Sequence, residues 1–282
     1  MNNLINGDCF DIMSGLSPNS IDAIISDIPY GIGFHGEKDP DTGWDNFEDQ
    51  EYIEFLDRLF SETYRITKED SIMFLFIAPT KMFDVIKTCE QSKWKFLPQY
   101  TYYYCRAKGR QAKNKLKSLR EDILCFAKSD DIKLNWDQIR KMSDHKKKTD
   151  SPIGYSLDIC TGNRIPQFEL VDHSFFITAP SYNNIGDKQI HSCQKPTMLI
   201  SNLIQLCTKE GDTVLDPFMG SGSTAIAAHF CKRNFIGIEL DKKMFDKANE
   251  WLNSAKDVNS RIFEYLNKNL TIPNDKFVFG IK

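Results

Sequence analysis

Nine residues late in the chain, Asp216-Pro-Phe-Met-Gly-Ser-Gly-Ser-Thr224, constrain the fold more than any other stretch. An apolar run from Thr213 to Leu215 precedes them, and a helix-like run from Thr224 to Cys231 follows. The pattern predicts a strand that enters a glycine turn and leaves it as a helix. Gly220 and Gly222 permit a tight turn and a close approach of backbone to ligand, where a Cβ would collide. The helix behind them offers unpaired N–H groups and the positive end of its dipole. A phosphate or a carboxylate suits that position. With Ala225 the spacing matches G-x-G-x-x-A, so a dinucleotide site is one reading and a plain structural turn another. No Gly-Lys-Ser/Thr follows, which excludes a Walker loop.

Strands and helices alternate through the rest of the chain. Leu4 to Asp8 reads as a short strand and turn, Cys9 to Leu16 as a helix, and Ile21 to Ser26 as a buried strand. Gly31 to Asn46 is rich in Gly, Asp and Pro and lacks periodicity, which predicts a long loop of the kind that is usually functional or mobile. Apolar residues at Tyr52, Phe55, Leu56, Leu59, Phe60 and Tyr64 have helical spacing within Phe47 to Ile66. A strand over Ser71 to Ala78, a helix over Pro79 to Ser92, and strands over Phe96 to Cys105 and Asp122 to Ala127 follow. Ser129 to Gln194 predicts an inserted region with little regular structure. Then come a helix from Pro196 to Cys207, the glycine turn, a strand from Asn234 to Glu239 and a helix from Lys242 to Leu252. The alternation predicts an α/β fold with a largely parallel sheet.

The late position of the turn has a topological consequence. Too little chain remains after Glu239 to complete a doubly wound sheet, so the missing strands must come from the N-terminal part. Asp27-Ile28-Pro29-Tyr30 would then end a strand beside the glycine turn. Ligands in open α/β sheets bind outside the carboxyl ends of the strands at the switch point, so both motifs would face one cleft.

Composition narrows the setting. A chain of 282 residues holds one large domain or two ordinary ones. The eight cysteines are scattered with no C-x-x-C pair, and the five histidines have no metal spacing. Reduced thiols in a cytoplasmic protein are expected, with neither a zinc site nor a disulfide frame. Met1 to Phe10 has no secretory pattern, and no apolar run approaches the ~18 to 20 residues that span a bilayer. The net charge of −3 hides an asymmetry. Arg106 to Lys148 holds fourteen Lys/Arg against six Asp/Glu, 14 − 6 = +8, leaving −3 − 8 = −11 for the remainder. Such segregation predicts a polyanionic partner for the basic segment.

Asp27-Ile-Pro-Tyr30 sets a carboxylate, a restricted backbone and an aromatic face within four residues. Proline fixes its own φ and biases Ile28 toward extended conformations. The Ile28 carbonyl and the Asp27 carboxylate can then converge on one NH2 group, with Tyr30 stacking on a planar ring. A strand end with a turn proline and a core tyrosine is the simpler alternative.

Taken together, the two motifs resemble the β class of amino-methyltransferases, which modify exocyclic NH2 groups of DNA bases with S-adenosylmethionine. The family's Asp-Pro-Pro-Tyr signature is matched by Asp27-Ile-Pro-Tyr30, and its Phe-x-Gly-x-Gly loop by Phe218-Met-Gly-Ser-Gly222. Asn6-Gly-Asp-Cys9, Gln194-Lys-Pro196 and Asn234-Phe-Ile-Gly-Ile-Glu239 add to the likeness. It covers roughly Leu4 to Thr80 and His191 to Leu252 and is thin from Ser129 to Gln189. The resemblance implies a Rossmann-like, S-adenosylmethionine-dependent methyltransferase sheet, circularly permuted, with an inserted target-recognition region. Residues 1–128 would be the catalytic part, 129–190 the target-recognition region, 191–252 the cofactor-binding part of the same domain, and 253–282 a tail.

Roles follow from the same resemblance. Asp27, Ile28, Pro29 and Tyr30 would be catalytic, and Ile28 is the one departure, standing where the family has a proline that contributes its carbonyl. Asp216, Phe218, Gly220, Gly222, Ser223 and Thr224 would hold the methionine of the cofactor, with Lys195 at its carboxylate. Glu239 would accept the ribose hydroxyls, and Asp8 with Cys9 would lie by the adenine. The implied step is direct in-line methyl transfer to the amine of a flipped-out base, with methyl and nitrogen held ~3 to 3.5 Å apart. Arg106, Lys108, Arg110, Lys113, Lys115 and Lys117 would follow the phosphates of double-stranded DNA. Tyr103 or Tyr104 would either pack in the sheet or close the other face of the base. An acidic first residue in the signature favours N6 of adenine, whereas N4-cytosine enzymes more often carry Ser there. An N4-cytosine DNA methyltransferase, an N6-adenine RNA methyltransferase, a nucleotide-binding oxidoreductase and an inactive DNA-binding relative are the alternatives. Expected partners are DNA, a second copy of the chain and a cognate restriction endonuclease, without a membrane.

Overall fold

The computed structural model describes residues 2–33, 45–97, 100–104, 120–132, 134–135, 155–157, 164–166, 175–178, 194–195 and 197–269. In chain order these form β1 (Asn2–Asn6), α1 (Cys9–Ser14), β2 (Ile21–Asp27), α2 (Asp49–Ile66), β3 (Thr67–Ile77), a 3-10 turn (Pro79–Lys81) and α3 (Met82–Gln91). Then follow β4 (Lys95–Phe96), β5 (Tyr100–Tyr104), β6 (Arg120–Ala127), β7 (Tyr155–Leu157), β8 (Arg164–Pro166) and β9 (Phe175–Thr178). The C-terminal part contributes α4 (Thr197–Cys207), β10 (Thr213–Asp216), α5 (Ser223–Phe230), β11 (Asn234–Glu239) and α6 (Lys242–Asn269).

One sheet runs β1-β11-β10-β2-β3-β6-β5-β9, with β4 also paired to β6. The five strands from β1 to β3 are mutually parallel, and β6 is antiparallel to β3 and β5. Parallel strands carry helices on both faces, which is why they read as uninterrupted apolar runs. Alternation along β3 shows the division. Ile72, Phe74 and Phe76 join a cluster with Leu199 and Leu203 of α4, Ala227 of α5 and Trp251 of α6. Met73, Leu75 and Ile77 join the opposite cluster with Met13 of α1, Leu56 and Phe60 of α2 and Val85 of α3. The result is a three-layer α/β/α arrangement.

This topology places β10 directly beside β2, in register Val214↔Ala23 and Leu215↔Ile24. From β10 the chain moves outward to β11, and from β2 it moves the other way to β3. The switch point therefore lies between β10 and β2, whose carboxyl ends carry Asp216 and Asp27. The expectation that the two motifs end neighbouring strands is met.

Other expectations are modified. The strand predicted over Phe96 to Cys105 is two short strands, β4 and β5, both paired antiparallel with β6. The region predicted to have little regular structure contains three short strands, and β9 extends the main sheet by pairing with β5. The last helix does not stop near Leu252 but continues to Asn269, across the expected start of the tail. Among the described residues, no helix is long and apolar enough to cross a membrane, and no cluster of His, Cys, Asp and Glu could hold a metal ion.

Candidate active site at the switch point

The glycine turn has the conformation that its composition demands. Gly220 has φ +52 and Gly222 has φ +87, in the left-handed region that a side chain disfavours. Gly222 is the residue before α5, and a Cβ there would sit 3.2 Å from the Ala248 Cβ of α6. At Gly220 a Cβ would meet nothing nearer than the Phe218 carbonyl oxygen at 4.0 Å, so that side of the turn is open. The turn is closed by Met219 N–H on the Ile238 carbonyl at 2.8 Å and by Gly222 N–H on the Met219 carbonyl at 2.9 Å.

Glu239, at the end of β11, is bound into this turn. Its Oε2 accepts from Gly220 N–H at 2.8 Å and its Oε1 from Asp241 N–H at 2.8 Å. Burial pushes its carboxyl above the usual range, an effect that these two N–H donors partly offset. The loop after β1 lies against the same strand end, where Gly7 N–H donates to the Glu239 carbonyl at 3.1 Å. Asp8 caps α1, its Oδ1 accepting from Phe10 N–H at 2.8 Å and Asp11 N–H at 3.2 Å. Cys9 is buried behind it, and burial, reinforced by the Asp8 charge, pushes its thiol up to about 12. A thiol so raised stays protonated at neutral pH and is a poor nucleophile.

Asp216 and Ser26 tie the two halves of the site together. Ser26 Oγ, on a residue only 1% exposed, donates to Asp216 Oδ1 at 2.6 Å, and Phe218 N–H donates to the same oxygen at 3.2 Å. Asp216 thus shapes the turn from within. Burial raises its carboxyl from 3.8 to about 6 against the lowering effect of its hydrogen bonds. A raised value means that the folded chain holds this proton more tightly than the unfolded chain. The resulting stabilisation is complete below about pH 4 and is lost as pH rises through about 6, a swing of about 3 kcal/mol at 1.36 kcal/mol per pH unit. Asp216→Asn lacks this titration. Urea unfolding from pH 4 to pH 7 should therefore show the variant gaining on the wild type by that amount, and a pH-independent difference would contradict this account.

Asp27 lies across from the turn with both oxygens engaged. Tyr30 Oη donates to Oδ1 at 2.5 Å, and Lys195 Nζ pairs with Oδ2 at 2.6 Å. Lys195 is 5% exposed, its ammonium 3.4 Å from Tyr30 Oη and 5.3 Å from the centre of the Phe76 ring. The sequence pointed to Lys195 as a partner for a cofactor carboxylate; in the structure its partner is the carboxylate of Asp27. No local pattern could have shown a pair 168 residues apart.

Sequence reasoning also missed the support behind Asp27-Ile-Pro-Tyr30. Asp45 is 2% exposed and receives Tyr30, Gly31 and Ile32 N–H groups at 2.6, 2.7 and 3.2 Å. Tyr52 of α2 donates from Oη to the Pro29 carbonyl at 3.1 Å. Asp45 fell within a stretch with no periodicity, and Tyr52 was read only as a core position on a helix. The basic residues Arg106, Lys108, Arg110, Lys113, Lys115 and Lys117 lie outside the described residues, and of Tyr103 and Tyr104 only the backbone, in β5, is described.

The carboxyl ends of the adjacent strands β10 and β2 bring together a glycine turn that carries the Glu239 carboxylate and a second carboxylate, Asp27, beside a tyrosine and an ammonium. Donors and acceptors are thus present for an amino acid group and for a ribose. The open side of Gly220 leaves room for a ligand, so these residues fit S-adenosylmethionine.

Known proteins are similar to this chain in sequence and in fold. The type II methyltransferase M.HpaI of Haemophilus parainfluenzae is 29% identical over 274 residues, covering 96% of this chain and 80% of its own. M2.DpnII of Streptococcus pneumoniae is 27% identical over 269 residues, 91% of each chain. Among solved structures, M1.HpyAVI in complex with SAM superposes with a TM-score of 0.61 at 20% identity, over 90% of this chain and 100% of that one. The cytosine-N4-specific PvuII DNA methyltransferase superposes with a TM-score of 0.63 at 15% identity, over 93% of each chain. The model of the N6/N4 DNA methylases matches residues 21–250. With its site at the switch point and that match over most of its length, the chain belongs to the N6/N4 DNA methylase family.

Proposed function

We propose that the protein transfers a methyl group from S-adenosylmethionine to N6 of adenine in a specific DNA sequence. The observation that carries adenine over cytosine is the identity and placement of the first signature residue. Asp27 faces Tyr30 and Lys195, whereas the preceding Ser26 is buried with its hydroxyl committed to Asp216. A serine-first frame, the form more frequent among N4-cytosine enzymes, has no support in that geometry. The relatives named type II methyltransferases support sequence-specific modification of DNA.

The cofactor supplies an electrophilic methyl on a sulfonium. The chain's residues have to make a poor nucleophile attack it, because the lone pair of an exocyclic amine is delocalised into the ring. Asp27 and the Ile28 carbonyl accept hydrogen bonds from the amine, favouring a localised lone pair and stabilising the positive charge that develops on nitrogen. Ile28 has the carbonyl that proline would offer, and Pro29 restricts its ψ. Tyr30 stacks on the extruded ring. Tyr30 and Lys195 orient the Asp27 carboxylate, whose oxygens can each accept a further hydrogen bond, here from the amine. Glu239 accepts the ribose hydroxyls, and the α5 N-terminus faces the amino acid end.

The test is incubation of the purified protein with methyl-labelled S-adenosylmethionine and unmethylated genomic DNA, followed by nucleoside analysis. Label in N6-methyladenine is expected. Label in N4-methylcytosine would overturn the base assignment and leave the transferase in place. No label, from folded protein that binds the cofactor, would sink the activity.

A further inference from the structure

We propose that Asp45 and Tyr52 are positioning residues for methyl transfer, which clamp the Pro29–Tyr30 peptide from both sides and so aim the Ile28 carbonyl and the Tyr30 ring. The inference rests on the methyltransferase reading above. One peptide unit is held at both of its polar ends. Its carbonyl accepts from Tyr52 Oη at 3.1 Å, and its N–H donates to Asp45 Oδ1 at 2.6 Å. Two further N–H groups, of Gly31 and Ile32, reach the same carboxylate, and Gly33 N–H donates to the Asp45 backbone carbonyl at 3.0 Å. Successive N–H groups converging on an anion form a nest, which fixes the backbone course through the turn.

Tyr52 contributes its ring as well as its hydroxyl. Gly31 has φ +65, and a Cβ there would fall 2.8 Å from the ring. The turn therefore rests on the tyrosine face, and the ring is itself packed edge-on against Phe47 with centroids 5.6 Å apart. Burial, with the Asp45 charge adding to it, pushes the Tyr52 phenol well above its usual range, so it remains a donor.

The clamp matters more in this chain because of Ile28. Proline at that position would lock φ of the residue whose carbonyl meets the amine; isoleucine does not. Rigidity that is absent at Ile28 is supplied two residues later, where the peptide after Pro29 is pinned by groups from outside the motif. Asp45 is 2% exposed and its oxygens are occupied by backbone donors, so it acts through the loop and does not touch the base.

The test compares wild type, Asp45→Asn, Tyr52→Phe and the double variant, as full chains, with labelled S-adenosylmethionine and unmethylated genomic DNA. Asp45→Asn keeps the shape but replaces an acceptor by an amide that opposes the N–H groups. Its kcat should fall about 100-fold, the scale of a misplacement of about 1 Å at a reacting centre. Tyr52→Phe removes one neutral hydrogen bond and keeps the ring, so kcat should fall about 5-fold. Both act on one peptide, so the double variant should be no slower than Asp45→Asn by more than about 2-fold. Affinity for S-adenosylmethionine should match the wild type in both variants, and the melting temperature of Tyr52→Phe should fall by no more than about 4 °C, the scale of one lost hydrogen bond; a merely structural role would not lower kcat with cofactor affinity intact. Wild-type kcat in Tyr52→Phe, or loss of cofactor binding in step with kcat in either variant, overturns the proposal. Tyr52→Phe decides alone if Asp45→Asn does not fold. An inactive wild type removes the transferase reading itself, a distinct outcome.

Discussion

Asp27→Ala should lower kcat by at least about 1,000-fold while changing the affinity for S-adenosylmethionine by less than about 3-fold. Removing one preorganised charge-stabilising partner costs about 100- to 1,000-fold in other enzymes, and Asp27 combines charge stabilisation with orientation of the amine. The cofactor contacts assigned to Glu239 and the glycine turn lie on β11 and on the β10–α5 connection, so they survive the change. Lys195 would lose its counter-ion, an unfavourable state for an ammonium 5% exposed. Asp27→Asn, which retains one acceptor oxygen beside the ammonium, separates that structural cost from catalysis and should also be severely impaired. Equal loss of transfer and of cofactor binding in Asp27→Asn would contradict the role given to this carboxylate.

Glu239→Ala should weaken S-adenosylmethionine binding by about 100-fold, the scale of one or two hydrogen bonds to a charged acceptor. The loss has two sources. Ribose hydroxyls lose their acceptor, and Gly220 N–H, held at 2.8 Å by Glu239 Oε2, loses the contact that braces the turn. Calorimetric titration with the cofactor measures it, and an unchanged affinity would remove Glu239 from the binding site. In the wild type, the raised carboxyl of Glu239 sets a direction for pH dependence. Protonation removes an acceptor, so affinity should decline on acidification from a higher pH than an ordinary glutamate would give.

Much of the architecture was legible because its physics is local. β2, β3, β10 and β11 are buried on both faces and read as apolar runs. α2 shows its buried stripe at three- and four-residue spacing, with Tyr52, Leu56, Leu59, Phe60 and Thr63 inside. Glycines at the β10–α5 turn declare a positive φ that other residues resist. The adjacency of β10 and β2 agrees with the expectation that both motifs end neighbouring strands.

What escaped is long-range or lies where the pattern breaks. α6 continues beyond Leu252 although its apolar spacing weakens at Lys256 to Ser260, because an established helix propagates at little cost. The pairing of β5 with β9 leaves no trace in either short segment. Asp45 is an isolated acid in a Gly- and Asp-rich stretch, and only the folded chain brings three N–H groups to it. Asp216 was assigned to the cofactor with the rest of its motif; its hydrogen bonds to Ser26 and Phe218 place it beneath the turn, as the tie between the two halves.

Long-read sequencing of DNA from cells that express the protein, in a host without adenine methylation, tests the central claim most directly. The account predicts N6-methyladenine within one short sequence context in cells with the wild type, and none in cells with Asp27→Ala. An unmodified genome in the presence of folded wild-type protein, or methylation confined to N4 of cytosine, would contradict it.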